Sequence, residues 1–412
     1  MNTKELKQAV TRLSKTVPRR AVQPILGCMR MQSKQIDDID HLTLSATNLD
    51  TWVTLTLTSP GRGVIKESFD VCVDVRQFRD ALSAITAERV GLAFEDNKLK
   101  LAGVAAIAPP VEFATFDSGD YLQFPGEDML MDNYIKLSAG QMEQIKIRCL
   151  PMAGGYGNNS ILAGVNFSMS DKNDKLDICS TDGSRLSHIK IDNGVIDLAR
   201  MLGNGLAKPA IVPAASLEKI FPFIKGHDVA MHSFKGNNMV GIVSNRGNFT
   251  AYLRLTAGDY PNYQQLFPID HKFRCEFMAD DLVKALKQVE PAADCKTYLV
   301  HIAFDDIKET MILTCETLGA KVEDLVRKTA TVNLLTERPA KDRNLPTDEM
   351  AVNIRYLLDA AESMGAAKEK PVMRLEGQGL LKPLIFTCRG DDTYRHLLMP
   401  VQNKRKAGAL AK

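Results

Sequence analysis

Apolar and polar residues along this chain follow two rhythms, one helical and one of strand period, and both return in the same order three times. In ELKQAVTRLSKTV from Glu5, AGQMEQIKIRCL from Ala139 and ADDLVKALKQV from Ala279, apolar residues fall three and four apart, as at Leu282, Leu286 and Val289. Each stretch predicts an amphipathic helix, with Leu6, Met142 and Leu282 in equivalent places 136 and 140 residues apart. Strand segments follow: ILGCMRM from Ile25, ILAGVNFSM from Ile161 and YLVHIAFD from Tyr298, aligned on Leu26, Leu162 and Leu299. A second strand ends each time in a polar turn, as LTLSATNLD from Leu42, LDICSTDGS from Leu176 and MILTCETLG from Met311.

The helical rhythm then recurs in VDVRQFRDALSAI from Val73, VPAASLEKIFPFI from Val212 and VNIRYLLDAAESM from Val352, with Phe78, Leu217 and Leu357 each five residues after the valine. Asp74 and Ser216 stand where helix-start residues belong. A hairpin closes each set, with turn residues at Asp96-Asn97, Gly236-Asn237 and Gly377-Gln378. Five landmarks in register predict one unit of helices and strands used three times, in agreement with 412 residues at ~150 per domain. The expected division is 1–130, 133–268 and 269–403, with 404–412 a disordered basic tail. Asp117 to Asp132 and GDYPNYQQLFPIDHKF from Gly258 read as the linkers.

Composition narrows the function. With 45% apolar and 25% charged residues the chain can bury ample core. Its eight cysteines lie far apart with no CxxC pair, so buried free thiols in a reducing cytoplasm are expected, with no zinc. The charged N-terminus and the lack of any run near ~18 apolar residues point away from a secretory leader and from membranes. A net charge of +2 excludes clinging to nucleic acid by bulk basicity, so a DNA partner would have to be held another way. No phosphate loop, dinucleotide fingerprint, zinc-protease or hydrolase motif is present, so no cofactor and no enzymatic activity are expected. The best rival catalytic feature is Thr181-Asp182-Gly183. The corresponding turns, Thr47-Asn48 and Thr317-Leu318-Gly319, do not keep the carboxylate, as when geometry is repeated and chemistry is not.

Four segments carry a family resemblance. RRAVQPILGCMRM near the N-terminus, TDGSRLS at Thr181, DYPNYQQLFP at Asp259 and LLMPVQN at Leu397 resemble signature segments of the beta subunit of bacterial DNA polymerase III, the sliding clamps, and the likeness runs to about Asn403. It implies an α+β fold of three tandem DNA-clamp domains, two helices packed on antiparallel sheets in each, and a head-to-tail homodimer closed as a ring. It further implies a processivity factor that encircles duplex DNA without reading sequence and tethers a DNA polymerase catalytic subunit. Loading would fall to a separate ATP-dependent clamp loader.

The resemblance also places residues. An apolar cleft for partner peptides would use Thr181, Gly183, Arg185 and Leu186; Pro261, Gln265 and Leu266; and Leu397, Leu398, Met399 and Pro400, with Leu380 and Lys382 nearby. Its leucines and Met399 would form the pocket, and the Arg185 guanidinium would meet a peptide carbonyl or carboxylate. DNA-facing positions would be Arg20 and Tyr156, with Arg76, Arg79, Lys146, Arg148, Lys284 and Lys287 on inner helices; by themselves such cations are equally a solvated helix face. Ser184, Gln265 and Gln402-Asn403 depart from the family's histidine, arginine and Arg-Leu, and extra residues lie around Asp117 to Asp132 and Glu337 to Pro346. The alternative reading is a three-repeat scaffold that binds peptides without encircling DNA.

Overall fold

The computed structural model of the chain describes residues 1–60, 65, 67–105, 107–155, 161–169, 175–192, 209–236, 238–244, 246–268, 270–318, 325–335, 344–365 and 370–402. Two compact units are present, one of Met1–Met142 with Asn193–Ala257 and one of Glu143–Asp192 with Gly258–Lys412. Among the described residues no helix is long and apolar enough to cross a membrane.

The first unit is built on a nine-stranded antiparallel sheet. Its order is β8 (Phe116–Asp117), β4 (Asp70–Asp74), β1 (Cys28–Ile36), β2 (Ile39–Thr47), β3 (Thr51–Pro60), β16 (Phe249–Arg254), β15 (Met239–Ser244), β14 (Val229–Phe234) and β9 (Leu130–Leu137). A second sheet of three strands runs β5 (Val90–Glu95), β6 (Lys98–Gly103) and β7 (Val111–Ala114). Helix α1 (Thr3–Leu13) starts where the Asn2 side chain accepts from the amides of Lys4 and Glu5, and it buries Leu6, Ala9, Val10 and Leu13, the i, i+3, i+4, i+7 stripe. Asp74 caps α2 (Val75–Ala84) in the same way, as its sequence position predicts. The β5–β6 hairpin turns on Asp96 and Asn97, both at positive φ, which matches the twist of the strands.

The second unit holds one antiparallel sheet in the order β10 (Gly164–Met169), β11 (Lys175–Thr181), β12 (Arg185–Asp192), β24 (Asp391–Leu398), β23 (Leu384–Cys388), β22 (Val372–Gly377) and β17 (Phe273–Met278). Another runs β20 (Leu325–Asn333), β19 (Thr310–Leu318), β18 (Leu299–Asp305) and β21 (Met350–Asn353). The remaining described elements are α3 (Ala139–Arg148), β13 (Ala210–Pro213), α4 (Ala214–Ile224), α5 (Ala279–Val289) and α6 (Ile354–Gly365). The unit boundary falls within α3.

The repeated landmarks are core positions: Leu6, Met142 and Leu282 are buried, and so are Phe78, Leu217 and Leu357. Each repeat contributes one meander after its first helix (β1–β3, β10–β12, β18–β20) and one after its second (β5–β7, β14–β16, β22–β24). The last strand of one meander pairs with the last strand of the next repeat's second meander, at β3–β16 and again at β12–β24. Compact units therefore cut across sequence repeats, because the largest sheet of each unit is shared by two of them.

Three sequence expectations need correction. Leu26 lies in a 3-10 turn (Pro24–Gly27) and Leu162 in a turn, both ahead of their strands. Ser216 does not cap a helix: α4 starts at Ala214 without a side-chain cap, and the buried Ser216 hydroxyl accepts from Thr51 Oγ1 at 2.9 Å. The first linker is partly strand, since β8 and β9 reach into it. Asn237, the segment 404–412 and most of Glu337 to Pro346 lie outside the described residues. None of the eight cysteines is in a disulfide, and only Cys295 is exposed. Burial pushes the thiol of Cys149 up to about 12, which leaves it an inert packing group at neutral pH.

Candidate functional site

The β11–β12 turn organises the region that the sequence marks as a cleft. Thr181 Oγ1 donates to the Arg185 carbonyl at 2.6 Å and accepts from the Gly183 amide at 3.1 Å. The Asp182 carboxylate takes the amides of Ser184 and Arg185 at 2.9 and 3.1 Å. Gly183 sits at φ 92, in the left-handed region that glycine enters without cost. The rival catalytic reading of this turn has little left to work with, since the Asp182 oxygens are spent on the turn and on Arg185 Nε at 2.9 Å.

Arg185 differs from its expected role. Besides Asp182, its guanidinium donates to the Asp359 carboxylate on α6 and to the Pro151 carbonyl at 2.7 Å, and it lies 4.1 Å from the centre of the Tyr356 ring. With only 9% of the residue exposed, its donors tie the turn to helix α6 and are not free for a peptide. The adjacent His396 is wholly buried, and burial together with the Arg185 charge lowers its imidazole to about 3.

Strand register sorts the remaining candidates. Leu186 stands opposite Leu397, which stands opposite Ile385, so the three form a row across one sheet face. With Cys179 and Tyr263 they make a buried cluster, against which Tyr260, Phe267 and Met399 pack from the second linker and the chain's C-terminal segment. Leu398 is on the opposite face, opposite Arg185 and Leu384 and fully buried, so it is core and not cleft. What stays accessible is Pro261, Gln265 and Leu266 on the linker, with Leu380, Met399 and Pro400 half-buried. Leu381 and Val401, at 55% and 42% exposure, join them although neither is among the residues that the resemblance places in the cleft; an apolar residue beside a turn or after the last strand is the available signal.

The DNA-facing candidates are dispersed in role. Arg20 is exposed in the loop before the first 3-10 turn. Arg76 Nη2 donates to the Arg19 and Pro18 carbonyls at 2.6 and 3.4 Å, so it braces the loop that carries Arg20. Arg79 pairs with Asp80 at 2.8 Å, Lys146 with Glu143 at 2.9 Å, Lys284 with Asp281 at 3.6 Å and Lys287 with Glu362 at 3.5 Å. Arg148 is a correction: it is fully buried, donates to Asp391 at 2.9 Å and stacks 4.2 Å from the Tyr394 ring, beyond the reach of any DNA. Burial works to raise the Asp391 carboxyl, but Thr393 and the Arg148 charge hold it below the ordinary carboxylate range. Tyr156 lies outside the described residues.

No protein-family model matches the chain. The beta sliding clamp of Staphylococcus aureus (strain Mu50) is 20% identical over 391 residues, covering 94% of this chain and 94% of the relative, and that of Staphylococcus epidermidis matches to the same extent. Among solved structures, the DNA polymerase sliding clamp of Bacillus subtilis superposes with a TM-score of 0.79 at 15% identity over 98% of both chains. The DNA polymerase III subunit beta of Bartonella birtlesii, bound to griselimycin, also gives 0.79 at 16% identity over 98% of both chains. Likeness of this extent at such low identity establishes the fold: mixed helices and antiparallel sheets in the sliding-clamp arrangement.

Proposed function

We propose that this chain, a divergent relative of the bacterial beta sliding clamps, is a replication processivity factor that closes as a head-to-tail ring of two copies around duplex DNA. The observation that carries the reading is a seam left open. Within the chain the β3 edge is taken by β16 and the β12 edge by β24. By the same rule β20 should be taken by β7, yet among the described residues each ends its own sheet. Val326 on β20 and Val111 on β7 are 51% and 42% exposed, and unpaired strand edges seek partners. A second copy supplies the missing edge on both sides, a heterologous contact that closes when the turn per repeat is right.

The cation pattern supports sliding over gripping. Four of the helix cations are already paired with nearby carboxylates, and such exposed pairs contribute about 0–1 kcal/mol each, so contact with phosphates stays weak and screened. Topology then provides the hold. The rim of Pro261, Leu266, Met399 and Pro400 over the Leu186–Leu397 floor is the docking place for an extended apolar segment of the polymerase catalytic subunit and of the separate ATP-dependent loader. Such a protein works in the cytoplasm and carries out no reaction of its own.

The direct test uses the full chain with its cognate loader and ATP on a nicked circular plasmid, followed by gel filtration before and after cutting the circle. The expected result is co-elution with the circle and release once it is linear. Retention indifferent to linearisation, or none on either form, rejects the ring and leaves a peptide-binding scaffold.

A further inference from the structure

Beyond the apolar cluster, the second unit contains a polar cavity of about 570 Å³ that no part of the clamp reading uses. It opens on the face of the sheet that bears Leu186 and Leu397, with Phe267 and Pro268 of the linker as one wall and Ile385 at its base. Register explains how charge gathers there. Arg274 stands opposite Glu376, Glu276 opposite Arg374, and Arg374 opposite Thr387, so alternate residues of β17, β22 and β23 face the same side.

The charges do not cancel. Glu376, 6% exposed, is met by Arg274 on one oxygen and by His271 Nε2 at 3.2 Å on the other. Glu276 receives Arg374 Nε at 2.9 Å and also Arg389, so one carboxylate serves two guanidinium groups. Those hydrogen bonds hold the Glu276 carboxyl below its ordinary range although burial works the other way. Arg395, on the cavity wall, has no carboxylate partner among the described residues and lies only over the Phe267 ring at 5.7 Å. The one remaining acid on the wall, Asp392, is exposed to solvent, as is Arg395 itself. Three buried polar atoms on the wall also lack a hydrogen-bond partner, Thr387 Oγ1, His271 Nδ1 and Glu376 Oε1, the last met by Arg274 as an ion pair only. A surplus guanidinium with an unsatisfied hydroxyl beside it is matched by an oxyanion, which accepts from several donors at once.

We propose that this cavity is a binding site for an oxyanion, carboxylate or phosphate, attached to a flat or apolar body. The body follows from size and lining. The volume far exceeds one phosphate and falls within the ~300–1,000 Å³ usual for small-molecule sites. Phe267, Pro268 and Ile385 provide an apolar wall on which a ring or aliphatic stem packs, while Arg395 and Thr387 take the charged end. The site stands whether or not the chain encircles DNA.

Isothermal titration calorimetry on the full chain tests it, with phenyl phosphate and inorganic phosphate as probes. Phenyl phosphate is expected to bind saturably and more tightly than inorganic phosphate. Arg395→Gln should weaken it tenfold or more and Thr387→Val several-fold, while Arg30→Gln, which breaks an ion pair in the first unit, should leave it unchanged. A second arm compares a Gln-Leu-Ser-Leu-Phe peptide with the same peptide extended by Glu. A gain from Glu that Arg395→Gln abolishes identifies the anion as a partner's acidic residue, and a response to phenyl phosphate alone identifies a small ligand. Absence of saturable binding in both arms, or equal binding by Arg395→Gln, overturns the site. Neither arm contains DNA or loader, so its failure is distinct from failure of the ring.

Discussion

The two seams within the chain share one backbone plan and differ in what covers them. At the first, Trp52 on β3 stands opposite Tyr252 on β16; at the second, the equivalent pair is Leu186 and Leu397. The preceding turns share two side-chain bonds. Thr47 Oγ1 accepts the Leu49 amide at 3.0 Å as Thr181 Oγ1 accepts that of Gly183 at 3.1 Å, and Asn48 takes the Thr51 amide at 2.8 Å where Asp182 takes that of Arg185 at 3.1 Å. Yet Trp52 and Tyr252 are sealed by Phe234 and Met239, with Phe124, Met129 and Leu130 packed against them. Over the second seam the linker lays down Tyr263 and Phe267 but leaves Leu266 42% exposed. The fold thus supplies the same backbone seam twice, and side-chain bulk decides how fully each one is covered.

Changes at the two seams should therefore have different consequences. The largest is expected from Tyr252→Ala, which removes half of the aromatic pair: a loss of about 3–5 kcal/mol, as for other large-to-small core changes. Trp52 is the chain's only tryptophan, so its fluorescence reports this seam directly in a urea titration. An unchanged midpoint would show that the pair is not what seals it. Next is Arg185→Ala, which strands Asp359 and the Pro151 carbonyl and should cost about 2–3 kcal/mol, with Arg185→Lys recovering only part because a lysine lacks the fork. Circular dichroism in urea separates the two variants; equal stability of wild type and Arg185→Ala would refute the tie to α6.

A smaller effect, tenfold in affinity or about 1.4 kcal/mol, is expected for peptide binding when Leu266→Glu puts charge on the open rim, with stability unchanged. Fluorescence anisotropy with a labelled Gln-Leu-Ser-Leu-Phe peptide reads it, and undiminished binding would move the cleft elsewhere. The smallest pair has opposite signs. Gly183→Ala, at φ 92, should destabilise by about 1 kcal/mol, whereas Leu49→Gly, at φ 76, should stabilise by a similar amount because it relieves a left-handed leucine that is 43% exposed. Calorimetric melting checks both, and equal signs would mean that the turns are not equivalent.

The contrast also accounts for what was readable beforehand. Repeats were legible because the core writes them at fixed spacing, as at Phe78, Leu217 and Leu357. The proposed cleft rests on resemblance alone, which puts Leu397 and Leu398 together, although consecutive strand residues must face opposite sides. Arg148 was misplaced because an arginine in the last turn of α3 reads as solvated until Asp391 and Tyr394, distant in sequence, are brought against it. The arginines of the polar cavity have no local signature, since they come from three strands far apart in sequence, β17, β22 and β24.

The central claim is that a third seam, β20 with β7, is closed by a second copy of the chain. Sedimentation velocity of the wild-type chain beside Val326→Asp and Val111→Asp tests it most directly. The account predicts a wild-type particle of twice 45.5 kDa and monomers for both variants at the same concentration. A monomeric wild type, or a dimer that survives both substitutions, would contradict it.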